Sequence, residues 1–405
     1  MESTGRPIAC VVGDISLLRA LGRSGIPAAI AIRDAHSEMR LSRYCAAVVP
    51  IPSWVDEPLA ALEAVIAWAG KQPEAPVLFY QGDHDLLAVS RGRDRLAGHL
   101  RCVLPPQELV EDVVDKARFA ALAERCRLPV PATRTLRKGT EVADDIARWD
   151  HYPCVLKPMT RSPRFSQVAH SQKALRVETR SELERLIPLI EQYQADFIVQ
   201  EAIEGGEDRI ESYHAYVRPG GQVVGDFTGR KLRTVPRTYG FSTYVEITDD
   251  AEVRRTGRLI LESIGFSGVV KVDFKRDLRS GRLFLLELNP RFNLWHHPGT
   301  AAGVPIPALV YRDCIEPGSA RQIGRVRPGI RWVSLRADAH ALKEYRAAGE
   351  LSLLRWLGEM VTVDVNEGFL LRDPLPGVAR LGVALRRKLA RMLGRREAGV
   401  VPHKP

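Results

Sequence analysis

Short apolar runs alternate with helix-length segments along the first part of the chain. PIACVVG (7–13) reads as a buried strand, followed by a helix carrying Leu17, Leu18 and Leu21. A Gly-Ile-Pro turn leads to AAIAI (Ala28–Ile32), and strand and helix alternate again through Ala46–Ile51, Ala60–Trp68 and VLFYQ at 77–81. Such alternation predicts a parallel sheet with crossover helices. GDHD follows the 77–81 strand, where open α/β sheets form a ligand crevice. Gly and Asp equally suit a plain turn there.

A helix at about 115–125 ends in the Pro-punctuated RLPVPAT, and from 151 the pattern changes. YPCVLKP is a strand ending in lysine and FIVQEAI is another, while ESYHAYV and QVVGDFTGRKL form a hairpin. A helix at 251–264 precedes GVVKVDFKRD and RLFLLELN. In the tail, helices are expected at 340–347 and 352–358, a strand at MVTVDV, and a basic helix after DPLPG. The expected division is an N-terminal parallel α/β domain (1–112), a linker helix with a small subdomain (113–200), a larger, mainly antiparallel domain (201–325) and a C-terminal extension (326–405). The fold class is α/β combined with α+β.

Composition narrows the function classes. With 45% hydrophobic and 27% charged residues, the 405-residue chain is expected to be a soluble globular protein. No apolar run is long enough to span a bilayer, and MESTGRPIACVVGD lacks the basic start of a signal peptide. The six cysteines form no CxxC pair, which suits a reducing cytoplasm. The net charge of +10 is spread over several clusters without aromatic interleaving. It therefore favours phosphate-rich ligands over nucleic acid.

The densest chemistry lies in GVVKVDFKRDLRSGRLFLLELNPRFNLWHHPG. If the turn centres near Ser280, Asp273 and Glu287 oppose one another across a hairpin, and Asn289 shares the face of Glu287. Two opposed carboxylates in an apolar strand pair need a positive partner. Two acids and an amide are hard oxygen donors that suit Mg²⁺. The alternative is ion pairing with Lys271, Arg276 or Arg291.

This D…ExNPR pattern, with lysine-ended strands and an acidic hinge before it, resembles the ATP-grasp superfamily, carboxylate–amine ligase type, over roughly residues 8–312 in order. The resemblance implies ATP-grasp architecture and ATP with Mg²⁺ (two ions, Mn²⁺ as a substitute). It also implies small-molecule carboxylate and amine substrates, and homodimers are common among such proteins. Position by position, it implies phosphate contacts from Lys116 and Lys157 and adenine contacts from Gln200, Glu201, Ala202 and Ile203. Glu207, or else Asp208, is implied on the ribose hydroxyls and Lys231 near the terminal phosphate. Asp273, Glu287 and Asn289 match magnesium ligands. Arg291 matches the group that steadies an acyl phosphate, a role Lys271 shares. Lys116, Glu207 and Lys231 each have a plainer reading as solvated or turn residues.

The implied reaction activates a carboxylate as an acyl phosphate, which an amine attacks to form an amide with release of ADP and phosphate. The alternatives are an acid–thiol ligase, a carboxylase, disfavoured by the lack of a biotin-carrier segment, or a nucleotide-binding protein without catalysis. The sequence departs from the family pattern in KPMTRSPRFSQVAHSQK, where no glycine follows Lys157. There Ser162, Arg164 or Ser166 would have to cover the phosphates. Arg230, Lys231, Arg233 and Arg237 offer more charge than one triphosphate needs, so a second anionic group is expected on the substrate. His296 and His297 are read either as substrate contacts or as a hydrogen-bonded pair. The last helix places Leu381, Leu385, Leu389, Met392 and Leu393 on one face, opposite Arg387, Arg391 and Arg395. Packing on the protein or a frayed tail is preferred for it, with an anionic membrane surface as the alternative.

Overall fold

A computed structural model of the chain describes residues 5–137, 142–159, 174–193, 195–368 and 370–392, with side chains up to Val383 in the last helix. The loop expected to cover the phosphates, with Ser162, Arg164 and Ser166, lies outside the described residues.

The N-terminal segment forms a parallel sheet from β1 (Ala9–Val12), β2 (Ala28–Ile32), β3 (Cys45–Pro50) and β4 (Val77–Tyr80), in the order β3-β2-β1-β4. Its central strands are apolar because helices cover both faces, among them α1 (Ile15–Arg23), α2 (Pro58–Ala69) and α3 (Asp83–Arg91). The chain leaves β1 towards β2 and later returns on its other side as β4, so a switch point opens at the carboxyl ends of β1 and β4. There the Gln81 amide bridges Asp14, donating to Oδ2 at 2.7 Å and accepting from the Asp14 N–H at 2.8 Å. A Cβ on Gly13 would meet Gln81 Oε1 at 2.3 Å, so only glycine permits this approach. GDHD supplies helix-start chemistry: Asp83 opens α3, and buried Asp85 accepts from the Gln81 and Gly82 N–H groups.

Two helices, α4 (Gln107–Val114) and α5 (Lys116–Arg125), lead into an antiparallel sheet. It comprises β5 (Thr133–Leu136), β6 (Cys154–Pro158), β7 (Leu175–Val177) and β8 (Phe197–Glu201), in the order β5-β8-β6-β7. RLPVPAT reads as a linker, yet its end runs directly into β5, which pairs with β8.

The largest sheet has seven strands. Five are β9 (Ile210–Val217), β10 (Val223–Val235), β11 (Phe241–Thr248), β12 (Gly268–Arg276) and β13 (Leu283–Asn289), with α6 (Ala251–Ser263) before β12. The edge adds β14 (Arg331–Val333) and β15 (Val365–Asn366), giving the order β13-β12-β9-β10-β11-β14-β15. The expected two-stranded hairpin is thus part of a larger meander, because FSTYVEIT alternates as a strand and pairs with β10. One sheet face packs Tyr213, Ala215, Val272, Phe274 and Leu285 against α4, α5 and α6. The other sends Tyr216, Phe227, Val245 and Ile247 into a core shared with α1, which couples the sheet to the N-terminal segment.

The extension begins with α7 (Leu335–Ala347) and α8 (Leu353–Val361). MVTVDV is not the expected strand: Met360 and Val361 finish α8, and only Val365–Asn366 pairs. The Ser352 N-cap and the Leu353, Leu357, Val361 spacing favour helix over the β-branched run that follows. Beyond β15 the chain crosses to the N-terminal sheet. Asp373 accepts from Arg19 Nε and Ser42 Oγ, each at 2.8 Å, and from the Arg43 N–H at 2.9 Å. The last helix, α9 (Leu375–Met392), packs Pro376 and Gly377, while Leu375, Val378 and Leu381 remain exposed. Of the expected apolar stripe only Leu381 falls among the residues with described side chains, and it is exposed; Leu385, Leu389, Met392 and Leu393 lie outside them. Among the described residues no helix is long and apolar enough to cross a membrane.

Candidate active site

The hairpin register is the one the turn chemistry predicts. Asp277 Oδ2 accepts from the Ser280 N–H and Oγ, and Gly281 takes a positive φ of 72°. Asp273 then pairs with Glu287 and Lys271 with Asn289, before a bulge shifts the register at Phe274. The positive group beside Asp273 is Lys271, whose ammonium lies 2.6 Å from Oδ2. Ser212, opposite on β9, donates to Oδ1. Burial raises the Asp273 carboxyl, but Lys271 and Lys231 outweigh it and hold the group below the ordinary carboxylate range. Burial pulls the Lys271 ammonium down, against the opposing pull of Asp273. Glu287, by contrast, is exposed, and its Oε1 accepts from Asn289 Nδ2 at 2.9 Å.

The small antiparallel sheet forms the facing wall. Lys157 donates to Gln200 Oε1 at 3.0 Å, and Gln200 is itself held by Thr133. Burial lowers the Lys157 ammonium, and Glu287 is the charge that opposes this, so the two groups sense one another across the cleft. Lys116 donates to the carbonyls of Pro158 (3.0 Å) and Met159 (2.6 Å), which ties the start of α5 to the strand end beside Lys157. Glu201 Oε2 accepts from the Ala132 N–H. Glu201, Ala202 and Ile203 line a cavity of 240 Å³, together with His151, Glu204 and Phe284. Gln200 is absent from that lining and serves Lys157 instead. Glu207 is buried on a short 3₁₀ turn, where its charge reaches Lys275 and Tyr239, while Asp208 is exposed.

At the end of β13 the site meets the switch point. Arg291 Nε lies 2.5 Å from Asp83 Oδ1, and Nη2 donates to Asn289 Oδ1 at 3.1 Å. The Phe292 N–H donates to the Tyr80 carbonyl, and the Phe292 ring packs 5.0 Å from that of Phe79. Asp83 was legible only as part of GDHD; nothing in the spacing links it to a residue 208 positions away.

Two expectations need correction. In the 230–237 stretch only Lys231 acts on the Lys271–Asp273 pair. Arg230 pairs with Glu246, Arg233 is buried against Asp338 and Glu359, and Arg237 pairs with Glu350. Those arginines secure the sheet and the extension, so they give no ground for a second anionic substrate group. His296 and His297 form neither a substrate contact nor a hydrogen-bonded pair. Both are fully buried, their ring nitrogens have no hydrogen-bond partner among the described residues, and burial pushes both imidazoles down to about 3. His296 packs edge-on against His214, Phe227 and Phe292 as a neutral core ring.

The donor chemistry fits a hard divalent cation. Asp273 already holds one cation, the Lys271 ammonium, while Glu287 and Asn289 extend the same oxygen-lined face. Among the described residues no cluster of three or more His, Cys, Asp or Glu side chains that could hold a metal ion is present.

No family model matches the chain. It is 28% identical over 217 residues to D-aspartate ligase of Enterococcus faecium (strain Aus0004), covering 52% of this chain and 52% of that protein. It is 27% identical over 228 residues to D-alanine–D-alanine ligase of Xanthomonas axonopodis pv. citri (strain 306), covering 52% and 61%. The chain thus spans little more than half the length of these curated relatives. Solved structures share its fold, among them the following three. An ADP complex of N5-carboxyaminoimidazole ribonucleotide synthetase matches with a TM-score of 0.60 and 15% identity over 88% of this chain and 86% of its own. An L-amino acid ligase from Bacillus licheniformis gives 0.59 and 16% over 80% and 78%. A biotin carboxylase from Campylobacter jejuni gives 0.59 and 15% over 80% and 74%. The chain shares the fold of these enzymes, the ATP-grasp architecture, and over about half its length it resembles in sequence the D-aspartate and D-alanine–D-alanine ligases.

Proposed function

We propose that this protein is an ATP-dependent ligase that joins a carboxylate to an amine through an acyl phosphate and releases ADP and phosphate. The observation that carries this reading is the in-register pairing of Asp273 with Glu287, on one face with Asn289, opposite Lys157 and continuous with Arg291. A carboxylate is a poor electrophile because its oxygen is a poor leaving group, and phosphorylation supplies a good one. The work left to the protein is charge neutralisation, positioning and stabilisation of the oxyanion.

Lys157 and Lys231 face the cleft as cations for a triphosphate, and Lys116 can join them by releasing the Pro158 and Met159 carbonyls. The 240 Å³ cavity lined by Ala202 and Ile203 suits adenine, and Glu207, which follows on the next short turn without lining that cavity, is the ribose acceptor in this reading. Asp273, Glu287 and Asn289 would hold Mg²⁺, which when bound supplies Lewis-acid charge at the phosphates. Lys271 keeps Asp273 ionised and available. Arg291 meets the oxyanion that develops on the acyl carbon. Both curated relatives are named as ligases of D-amino acids, which supports an amino acid as one substrate.

The test is release of ADP and phosphate with Mg-ATP across D- and L-amino acids, dipeptides and small carboxylates. Turnover that requires a carboxylate and an amine together is the expected result. Turnover needing bicarbonate or a thiol in place of the amine would replace the reading by the corresponding carboxylase or acid–thiol ligase.

A further inference from the structure

Arg291 is held at two of its three nitrogens, and the two anchors come from different parts of the fold. Nη2 donates to Asn289 Oδ1 on its own hairpin. Nε meets Asp83, which opens α3 at the switch point of the N-terminal sheet. Nη1 has no partner among the described residues. A guanidinium is planar, so fixing two nitrogens fixes the third. Asp83 is itself fixed: the Gln81–Gly82 turn before it is clamped by Asp85, and Gln81 is braced by Asp14. The docking of Phe292 on Tyr80 and Phe79 holds the two segments together at this point.

We infer that Asp83 is a positioning residue for Arg291, supplied by the N-terminal α/β segment, which aims the free Nη1 face of the guanidinium at the reacting carboxylate. This rests on the ligase reading for its chemistry but not for its geometry. The carboxylate of Asp83 is half exposed, so it can hold Arg291 without the large desolvation cost of a buried ion pair. The reaction centre is then complete only when the N-terminal segment is docked against the end of β13.

The test uses the full chain with Asp83→Ala and Asp83→Asn, since asparagine keeps an acceptor oxygen and loses only the charge. For a positioning role, Asp83→Ala lowers kcat by about 10–100-fold, with the KM for ATP within about twofold and an unchanged melting temperature. Asp83→Asn recovers most of that loss. Equal losses in the two variants, a wild-type kcat in the alanine variant, or kcat and melting temperature falling together would each overturn the assignment. A second readout needs no turnover: in protein labelled with ¹⁵N at arginine Nε, the Arg291 signal, assigned by its absence in Arg291→Lys, should move in Asp83→Ala and stay near its wild-type position in Asp83→Asn. An unmoved signal in both variants would refute the contact. If the wild type turned over no substrate pair while this signal behaved as expected, the ligase reading would fail and the positioning geometry would stand.

Discussion

Glu287→Gln should lower ADP-forming turnover by roughly 10²–10³-fold while leaving the melting temperature within about 2 °C of wild type. Both halves follow from where the side chain sits. Glu287 is exposed, and the one hydrogen bond its side chain makes among the described residues, from Asn289, can be made equally well to a glutamine oxygen. What the substitution removes is the negative charge facing Lys157 and the hard anionic donor opposite Asp273. Asp273→Asn is a different experiment. It strips the counter-ion from a largely buried Lys271 and so damages stability and activity together. Kinetics of Glu287→Gln beside a thermal melt separate a loss of chemistry from a loss of fold. A variant that kept full turnover would remove Glu287 from the reaction.

Asp373→Ala should be strongly destabilising, costing about 3–5 kcal/mol. The Arg19–Asp373 pair has side-chain exposures of 0% and 1%, and the carboxylate also serves Ser42 and the Arg43 N–H. Removing the acid leaves a buried guanidinium whose remaining contacts are the carbonyls of Glu367 and Asp373. Because this contact straps the C-terminal extension to α1, urea unfolding should show the variant's midpoint shifted down, with the N-terminal segment and the extension released together. Replacing both partners by apolar residues, Arg19→Met with Asp373→Leu, should recover much of the loss, since no buried charge then lacks a partner. An unchanged midpoint in Asp373→Ala would mean that the strap contributes nothing.

How much of this was legible beforehand depended on the range of the interaction. The Asp273–Glu287 pairing could be read because a tight turn and two-residue alternation fix a hairpin locally, and the register follows. The alternating α/β segments, with β1, β2 and β4 where the apolar runs lay, were readable for the same reason. The basic run 230–237 was misjudged because charge counts do not reveal partners. Asp338, Glu350 and Glu359, which neutralise Arg233 and Arg237, lie about a hundred residues on in the extension. His296 and His297 were polar on paper, yet the fold buries both, and the His296 imidazole packs like an aromatic ring. MVTVDV carried a strand composition, but the helix begun at Ser352 runs through its first residues. Asp83 could be flagged as lying at a strand's carboxyl end, but its partner Arg291 could not, because only the docking of the hairpin on β4 brings them together.

The central claim is that a carboxylate is activated by phosphoryl transfer in the cleft between Lys157 and the Asp273–Glu287 hairpin. It is tested most directly with a carboxylate substrate labelled with ¹⁸O on both oxygens, followed through one turnover by mass spectrometry of the released phosphate. The account predicts one ¹⁸O atom in each phosphate and none lost to solvent, with Glu287→Gln slowing the transfer without changing its pattern. Phosphate released without label, while the amide product forms, would show that the carboxylate oxygen never met the phosphoryl group and would contradict the account.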